Sequence, residues 1–184
     1  MLNTVYRLTQ PRKFEIAFDD IDIFSGDIIV KPTHLSICNA DQRYFQGTRD
    51  PKVLAQKLPM ALIHEAVGKV VYSPDPEFKP GDMVVMIPNT PTEEDEIIAE
   101  NYLRSSKFRA SGFDGFMQEY VSISADRLVK LPSDINPAVA SFTDLICKFS
   151  YKKIQAWSRK KKINKIKAMK NKTDKLMFNI SFFV

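Results

Sequence analysis

The sequence predicts a mainly β, barrel-like domain with a few short helices, and three observations support this. Short apolar runs alternate with turn clusters between residues 4 and 131, which is typical of strands. All six glycines lie at or before Gly115, so the tight turns are expected in that part. No G-x-G-x-x-G pattern follows an apolar strand, so the motif of a Rossmann coenzyme domain is absent from this sequence.

The first predicted element is a hairpin of two strands, residues 4–9 and 14–19, with a turn between them. Phe14, Ile16 and Phe18 alternate with other residues, which predicts a strand with one buried face.

Further strands are predicted at residues 27–33, 66–72, 83–87, 116–124 and 127–131. Pro32 is expected to end the first of these. Residues 41–57 favour helix and loop, and a helical patch is predicted at 93–103. A late helix should begin at Asn136–Pro137, since asparagine caps helices and proline suits their first position.

Length and cysteine content bound the class of protein. The 184 residues suffice for one domain of ordinary size. No run of about 18 apolar residues predicts a membrane helix, and the N-terminus lacks the pattern of a signal peptide. Two cysteines do not make a disulfide framework, so a cytoplasmic location is predicted, where a free Cys38 could act as a thiolate.

Charge is segregated along the chain, which predicts a boundary near residue 147. Residues 148–175 hold twelve Lys and Arg and one acid, whereas the rest has 15 basic and 21 acidic residues. We therefore expect a domain over 1–147 and a basic, low-complexity, disordered tail over 148–184. Nucleic acid or an anionic membrane is a weaker alternative for the tail, because aromatic residues near its basic run are few.

Candidate metal ligands cluster between Cys38 and Glu65. A thiolate, an imidazole and a carboxylate are the side chains that bind zinc, and Cys38, His64 and Glu65 supply all three. The alternative from residue types alone is a buried thiol near an unrelated polar pair, since a lone cysteine often behaves as a small apolar residue. His34 is expected to be structural and Cys147 to be a buried thiol.

Three motifs resemble the catalytic domain of zinc-dependent medium-chain alcohol and polyol dehydrogenases, a GroES-like β-barrel. They are Cys38-x-x-Asp41, His64-Glu65-x-x-Gly68 and Lys79-Pro80-Gly81-Asp82-x-Val84. Longer stretches, such as Ala40–Tyr44 and Ser111–Met117, resemble the ribulose-5-phosphate reductases of bacterial teichoic acid synthesis within that family. The resemblance covers roughly residues 1–157.

The resemblance implies a zinc site and its chemistry. Cys38, His64 and Glu65 match the family's ligand positions, and Asp144 stands where the family has a fourth, glutamate ligand. Zinc would polarise a sugar ketone, and NADPH would supply the hydride that converts ribulose 5-phosphate to ribitol 5-phosphate. Asp41 would orient the metal ligands without binding the metal itself, or alternatively would cap a helix.

The resemblance also implies partners. Arg43, Arg49 and Lys57 are candidate binders of the substrate phosphate. A homodimer and association with a ribitol-5-phosphate cytidylyltransferase are expected as in the family. Because no Rossmann motif follows Asp144, we expect a truncated reductase that is inactive alone. A non-catalytic GroES-like interaction or dimerisation module is the alternative.

Overall fold

The computed structural model describes residues 1–92 and 106–143, which form three antiparallel sheets and three short helices. The strands are β1 (Leu2–Gln10), β2 (Lys13–Asp20), β3 (Ile28–Ser36), β4 (Met60–Ala61), β5 (Glu65–Tyr72), β6 (Met83–Met86), β7 (Asn89–Thr90), β8 (Lys107–Phe108), β9 (Val121–Ile123) and β10 (Leu128–Lys130). The helices are α1 (Asn39–Gln46), α2 (Pro51–Lys57) and α3 (Pro137–Ala140). The mainly β prediction is confirmed.

Two predicted regions lie outside the described residues: the helical patch at 93–103 and the tail at 148–184. Within the described part, no helix is long and apolar enough to cross a membrane.

The larger sheet has five strands in the order β10-β6-β5-β3-β9 and provides the main core. Its apolar side chains meet around Phe116, which is fully buried between sheet and loop. The other core members include Ile28, Val30, Val70, Val84, Val121 and Leu128. Each such side chain contributes about 1.5–3 kcal/mol when fully buried, so this cluster holds the curved sheet in one shape.

The smaller sheet, β2-β1-β4, connects the hairpin to the segment that precedes His64. Leu8 of β1 packs with Tyr44 of α1 and with Met60, Leu62 and Ile63 in a second core cluster. The segment at 60–63 is therefore fixed against both β1 and α1 by apolar contacts.

The prediction that Pro32 ends its strand is wrong, because β3 continues to Ser36. Pro32 lies opposite Gly68, and the register then shifts so that His34 lies opposite Val67. A proline lacks an N–H to donate, and an irregular point in the ladder tolerates that loss. The extra residues of β3 bring the chain directly to Cys38.

The hairpin itself is confirmed, but its predicted buried face is not. Ile16 is 61% exposed and Phe18 is 65% exposed, although both lie on the apolar side of β2. The periodicity correctly gave the strand. On that side the Phe14 ring stacks on Phe45 of α1, with ring centres 5.9 Å apart, whereas Ile16 and Phe18 stay exposed.

The predicted strand at 116–124 is shorter than expected, with only Val121–Ile123 in the sheet. Instead, the amides of Phe116 and Met117 donate to the carbonyls of Ile63 and Leu62. This loop therefore reinforces the segment before His64. The late helix begins as predicted, and Asn136 Oδ1 accepts the Ala138 amide at 2.9 Å.

Candidate metal site

Cys38 lies where strand β3 gives way to helix α1. It is the residue before the first turn of α1 and has an extended backbone, with φ −95° and ψ 171°. Gly47 ends the same helix with φ 73°, a left-handed conformation that glycine adopts without strain. The helix is thus short and defined at both ends, and the half-buried Cys38 thiol is held at its start.

Asp41 ties the Cys38 turn to the chain before His64. One carboxylate oxygen, Oδ2, accepts the Cys38 amide at 2.9 Å, and Oδ1 accepts the Ile63 amide at 2.9 Å. Asp41 is buried; its bond to the Ile63 amide is buried as well, and its bond to the Cys38 amide is partly buried. It occupies the third position of α1, so the alternative that Asp41 is the N-cap residue is wrong, although its carboxylate does bind the N-cap amide.

Ile63 has an unusual backbone conformation immediately before His64. Its φ is 70°, and a left-handed conformation is rare for a β-branched residue and costs roughly 1–3 kcal/mol. Two hydrogen bonds hold this conformation. The Ile63 amide donates to Asp41, and the Ile63 carbonyl accepts the Phe116 amide at 2.6 Å. These contacts fix the direction in which the chain leaves Ile63, and therefore where His64 lies.

Gly115 makes this arrangement possible. A Cβ atom at this position would lie 2.3 Å from the Ile63 carbonyl oxygen and 2.4 Å from that of Leu62. No side chain can fit at such distances, so the loop at 115 approaches the strained segment only because it has a glycine.

The result is a compact group of potential metal ligands. The ligand atoms of Cys38, Asp41 and His64 all lie within 4.8 Å of one another. Glu65 is beside this group, with its Oε1 atom 3.8 Å from His64 Nε2 and a side chain only 2% exposed. The Phe108 ring lies 5.2 Å from the His64 ring, between ring centres, and shields it.

The electrostatics of the protein groups favour a protonated thiol. Burial, reinforced by the hydrogen bond of the thiol to Asp41, raises the pKa of Cys38 to about 11. A metal ion that binds Cys38 must therefore displace a proton.

The donor set fits zinc. Thiolate, imidazole and carboxylate are its usual ligands, and buried sites of this composition exclude the hard, oxygen-only cations. Donors around a tetrahedral zinc lie about 3.3–3.8 Å apart, so the ligand atoms of Cys38, Asp41 and His64 would have to contract by up to about 1 Å around an ion. The group that lies within 4.8 Å thus contains Asp41 rather than Glu65, which is adjacent to His64. Cys38, His64 and Glu65 are the ligands that the resemblance implies, with Asp41 between the two backbone segments.

The candidate phosphate-binding residues have other contacts. Arg43 is exposed on α1, and the Arg49 guanidinium lies 4.5 Å from the centre of the Tyr44 ring. Lys57 Nζ donates to the Ser111 hydroxyl at 2.6 Å and to its carbonyl at 3.2 Å. Phosphate binding by these residues stays a prediction.

The remaining predicted residues are placed as follows. His34 is half-buried on β3, with Nδ1 3.0 Å from the Thr33 hydroxyl, away from the ligand group. Asp144 and Cys147 lie outside the described residues. The helix α3 that leads toward Asp144 is anchored by Ser141, whose hydroxyl lies 2.5 Å from that of Ser36.

Sequence reasoning missed the contributions of Ile63, Gly115 and Phe108. The motif around His64 gave no signal that Ile63 has a positive φ, since isoleucine ordinarily argues against one. Gly115 carried a weak signal, because a glycine that ends a loop often permits a close backbone approach. Phe108 lies far from His64 in sequence, so only the fold brings the two rings together.

Comparisons with known proteins agree with this geometry. Residues 25–133 match the model of the alcohol dehydrogenase GroES-like domain. The chain is 58% identical over 146 residues to a ribulose-5-phosphate reductase of Bacillus spizizenii, which covers 79% of this chain and 43% of that protein. It is 54% identical over 160 residues to ribulose-5-phosphate reductase 2 of Staphylococcus aureus, which covers 87% of this chain and 47% of that protein. The chain therefore spans about half the length of these curated relatives.

Solved structures show the same fold. A crystal structure of Staphylococcus aureus TarJ in complex with NADPH has a TM-score of 0.63 and 42% identity, with 84% of this chain and 44% of that chain covered. The L-idonate 5-dehydrogenase of Escherichia coli has a TM-score of 0.69 at 23% identity, over 77% of this chain and 43% of that one, which supports the fold alone. Because the family model covers more than half of the chain, and the strands and helices have the arrangement it implies, the chain belongs to the alcohol dehydrogenase GroES-like domain family.

Proposed function

We propose that this chain is the zinc-binding, substrate-binding part of an NADPH-dependent reductase that converts ribulose 5-phosphate to ribitol 5-phosphate. The observation that carries the proposal is the buried group of Cys38, Asp41 and His64 in a chain 58% identical to a named ribulose-5-phosphate reductase. The choice of NADPH is supported by the NADPH complex of the Staphylococcus aureus relative. The CDP-ribitol and teichoic acid pathway is the setting that these relatives imply.

When bound, zinc would act as a Lewis acid that polarises the ketone of the substrate. The residues of this chain would hold the ion and fix the position of its ligands. Cys38, His64 and Glu65 would hold the ion, with Asp144 as the proposed fourth ligand. Asp41 would act as a positioning residue, since its carboxylate oxygens fix the backbone at Cys38 and at Ile63.

Burial supports the same reading of the site. His64 and Glu65 have side chains that are 8% and 2% exposed, so water has little access to them. A low-polarity surrounding strengthens the electrostatic effect of a bound cation on a carbonyl group. The phosphate of the substrate would bind basic residues on the two helices, with the exposed Arg43 as the first candidate.

The first test is metal content. We expect the purified chain to bind about one zinc ion, and Cys38→Ser and His64→Ala each to lose most of it. His34→Ala is the matched control, because this second histidine lies on β3 with a Thr33 contact and should not affect zinc. A wild-type chain without zinc, or equal loss in His34→Ala, would favour the alternative of a non-catalytic interaction module.

The second test addresses the substrate separately from hydride transfer. Calorimetric titration with ribulose 5-phosphate should show binding, and ribulose without its phosphate should bind at least about tenfold more weakly. Arg43→Ala should reduce that difference. Equal binding of the two sugars would contradict the assignment of a phosphorylated substrate. Association with a cytidylyltransferase and a cytoplasmic location stay predictions.

A further inference from the structure

Asp114 joins the loop after β8 to strand β1 through Arg7. The Arg7 guanidinium donates from Nε to Asp114 Oδ1 at 3.1 Å and from Nη2 to Oδ2 at 2.6 Å, which is a two-point ion pair. Arg7 also donates to Asp19 on β2. The hydrogen bond to Asp114 raises the pKa of Arg7 above its ordinary value, although burial opposes this shift. A charged, directional pair of this kind holds the Asp114 carboxylate in one orientation.

The same carboxylate accepts a backbone amide from the chain before His64. Asp114 Oδ1 accepts the Ala61 amide at 2.7 Å, and the next residue, Gly115, donates its amide to the Ala61 carbonyl at 2.8 Å. Arg7 lies directly opposite Ala61 in the ladder of β1 and β4. The backbone of Ala61 is therefore held by β1 and by residues of the loop together.

Two aspartates thus hold the three-residue segment before His64, one at each end. Asp41 accepts the amide of Ile63, and Asp114 accepts the amide of Ala61. The left-handed conformation of Ile63 costs free energy and persists only while its surroundings leave the backbone no alternative. If the Ala61 end were released, the segment would turn and relax that strain, and His64 would move with it.

We propose that Asp114 is a positioning residue for the metal ligand His64, and that Arg7 keeps the Asp114 carboxylate on the Ala61 amide. The inference rests on the proposed function, because it treats His64 as a ligand of zinc. Asp114 is outside the group of potential ligands, so it acts on the metal only through the backbone before His64. The hairpin of β1 and β2, which carries Arg7, thereby becomes part of the support of the site.

Proton NMR of the full chain without metal measures the position of His64. The sequence has two histidines, His34 and His64, so their ring signals are assigned with His34→Ala. The His64 ring lies 5.2 Å from the Phe108 ring, between ring centres, so a displacement of His64 changes the ring-current shift of its protons. Asp114→Ala should shift the His64 signals at constant pH and leave those of His34 unchanged. Unchanged His64 signals would overturn the proposal.

Two double variants separate positioning from stability. Arg7→Met with Asp114→Asn and Arg7→Met with Asp114→Ala both lack the ion pair, but only asparagine retains an oxygen that accepts the Ala61 amide. We expect the His64 signals to stay close to those of the wild type in the asparagine variant and to shift in the alanine variant. Zinc affinity should fall by roughly tenfold or more in the alanine variant only. Equal effects in both would show that the ion pair merely stabilises the fold and would refute the proposal.

Asp82→Ala is the matched control. Asp82 also accepts a backbone amide, from Lys79 at 2.9 Å, and also pairs with a cation, Lys130 at 2.8 Å. Its carbonyl accepts the Val70 amide, so it lies near the end of β5 that is far from His64. This variant should leave the His64 signals and the zinc affinity unchanged. A shift of the His64 signals in the control would show that they report general destabilisation and would overturn the assignment.

Amide hydrogen exchange of the wild type tests the contact without any substitution. The Ala61 amide should exchange about as slowly as the Ile63 amide, since each donates to an aspartate that ties it to another segment. Fast exchange at Ala61 would overturn the proposal even if the alanine variants did not fold.

These measurements also separate the role of Asp114 from the proposed function. The NMR and exchange experiments need no metal, so they decide in either case whether Asp114 places His64. A wild-type chain that bound no zinc would contradict the proposed function alone. A zinc-binding chain whose His64 signals did not respond to Asp114→Ala would overturn this inference alone.

Discussion

Replacing Gly115 with alanine tests whether close backbone packing positions His64. The added Cβ would lie 2.3 Å from the Ile63 carbonyl oxygen, whereas ordinary contact begins at 3.4 Å, so the two backbones must separate by about 1.1 Å. A rotamer change cannot relieve these contacts, because the atoms concerned are the backbone carbonyl oxygens of Ile63 and Leu62. Both oxygens also accept hydrogen bonds, from the Phe116 and Met117 amides, which a backbone shift would weaken.

The expected cost combines two effects. Overpacking of a filled site costs about 1–3 kcal/mol, and weakening one buried backbone hydrogen bond adds about 0.5–1.5 kcal/mol. We therefore expect Gly115→Ala to lower the free energy of unfolding by about 2–4 kcal/mol, or the melting temperature by about 5–15 °C. Because His64 follows Ile63 directly, zinc affinity should also fall by roughly 10–100-fold.

Urea denaturation and a competitive zinc titration measure the two effects. Gly26→Ala is the control: nothing lies within 4 Å of its Cβ, and its φ of 88° limits the cost to about 1–2 kcal/mol. The control should leave zinc affinity unchanged. The reasoning would be refuted by a Gly115→Ala protein whose stability and zinc affinity equal those of the wild type.

Three further predictions concern single interactions. Asp41→Ala should lower the free energy of unfolding in urea by about 2–4 kcal/mol, since it leaves one buried and one partly buried amide unpaired. Replacing the exposed Asp20 with alanine should lower it by under about 0.5 kcal/mol, and similar losses would contradict the role of Asp41. Asn136→Ala should cost about 1 kcal/mol by the same measurement through loss of its cap on α3, and no change would argue against that cap. Lys130 lowers the pKa of Asp82 below 3.8, so their contribution is present at neutral pH and is lost as the pH falls below 3.8. Because this pair is partly exposed, Lys130→Met should remove less than about 1 kcal/mol at pH 7, and progressively less as the pH falls below 3.8; an effect that does not change with pH would exclude the ion pair.

Much of the fold follows from patterns that are local in the sequence. Apolar runs and turn residues located the hairpin, β5 and β6, and the cap at Asn136 located α3. Pro32 could not be interpreted in the same way, because its effect depends on the register of the strand opposite. The exposure of Ile16 was likewise unpredictable, since periodicity shows that a strand has an apolar face but not what covers it.

The candidate site, like the fold, was predictable from the sequence only in part. Residue types and motif spacing selected Cys38 and His64, and the fold places their ligand atoms within 4.8 Å. The bond of Asp41 to the Cys38 amide is local, but its bond to the Ile63 amide joins residues 22 apart in the chain, which no local pattern encodes. The left-handed Ile63 contradicts its own propensity, and such local conflicts occur where the surrounding structure determines the conformation.

The two hydrogen bonds of Asp41 have a consequence for how the proposed site would exchange a metal. The Cys38 turn and the chain before His64 are joined by protein groups alone, so a chelator that extracts the ion would not separate them. Such a site would bind without first ordering its backbone, which would distinguish it from small domains that fold only around zinc. Extraction and reloading should therefore be fully reversible at constant far-ultraviolet circular dichroism. The same rigidity makes cobalt a convenient spectroscopic replacement for zinc, with no refolding step between them.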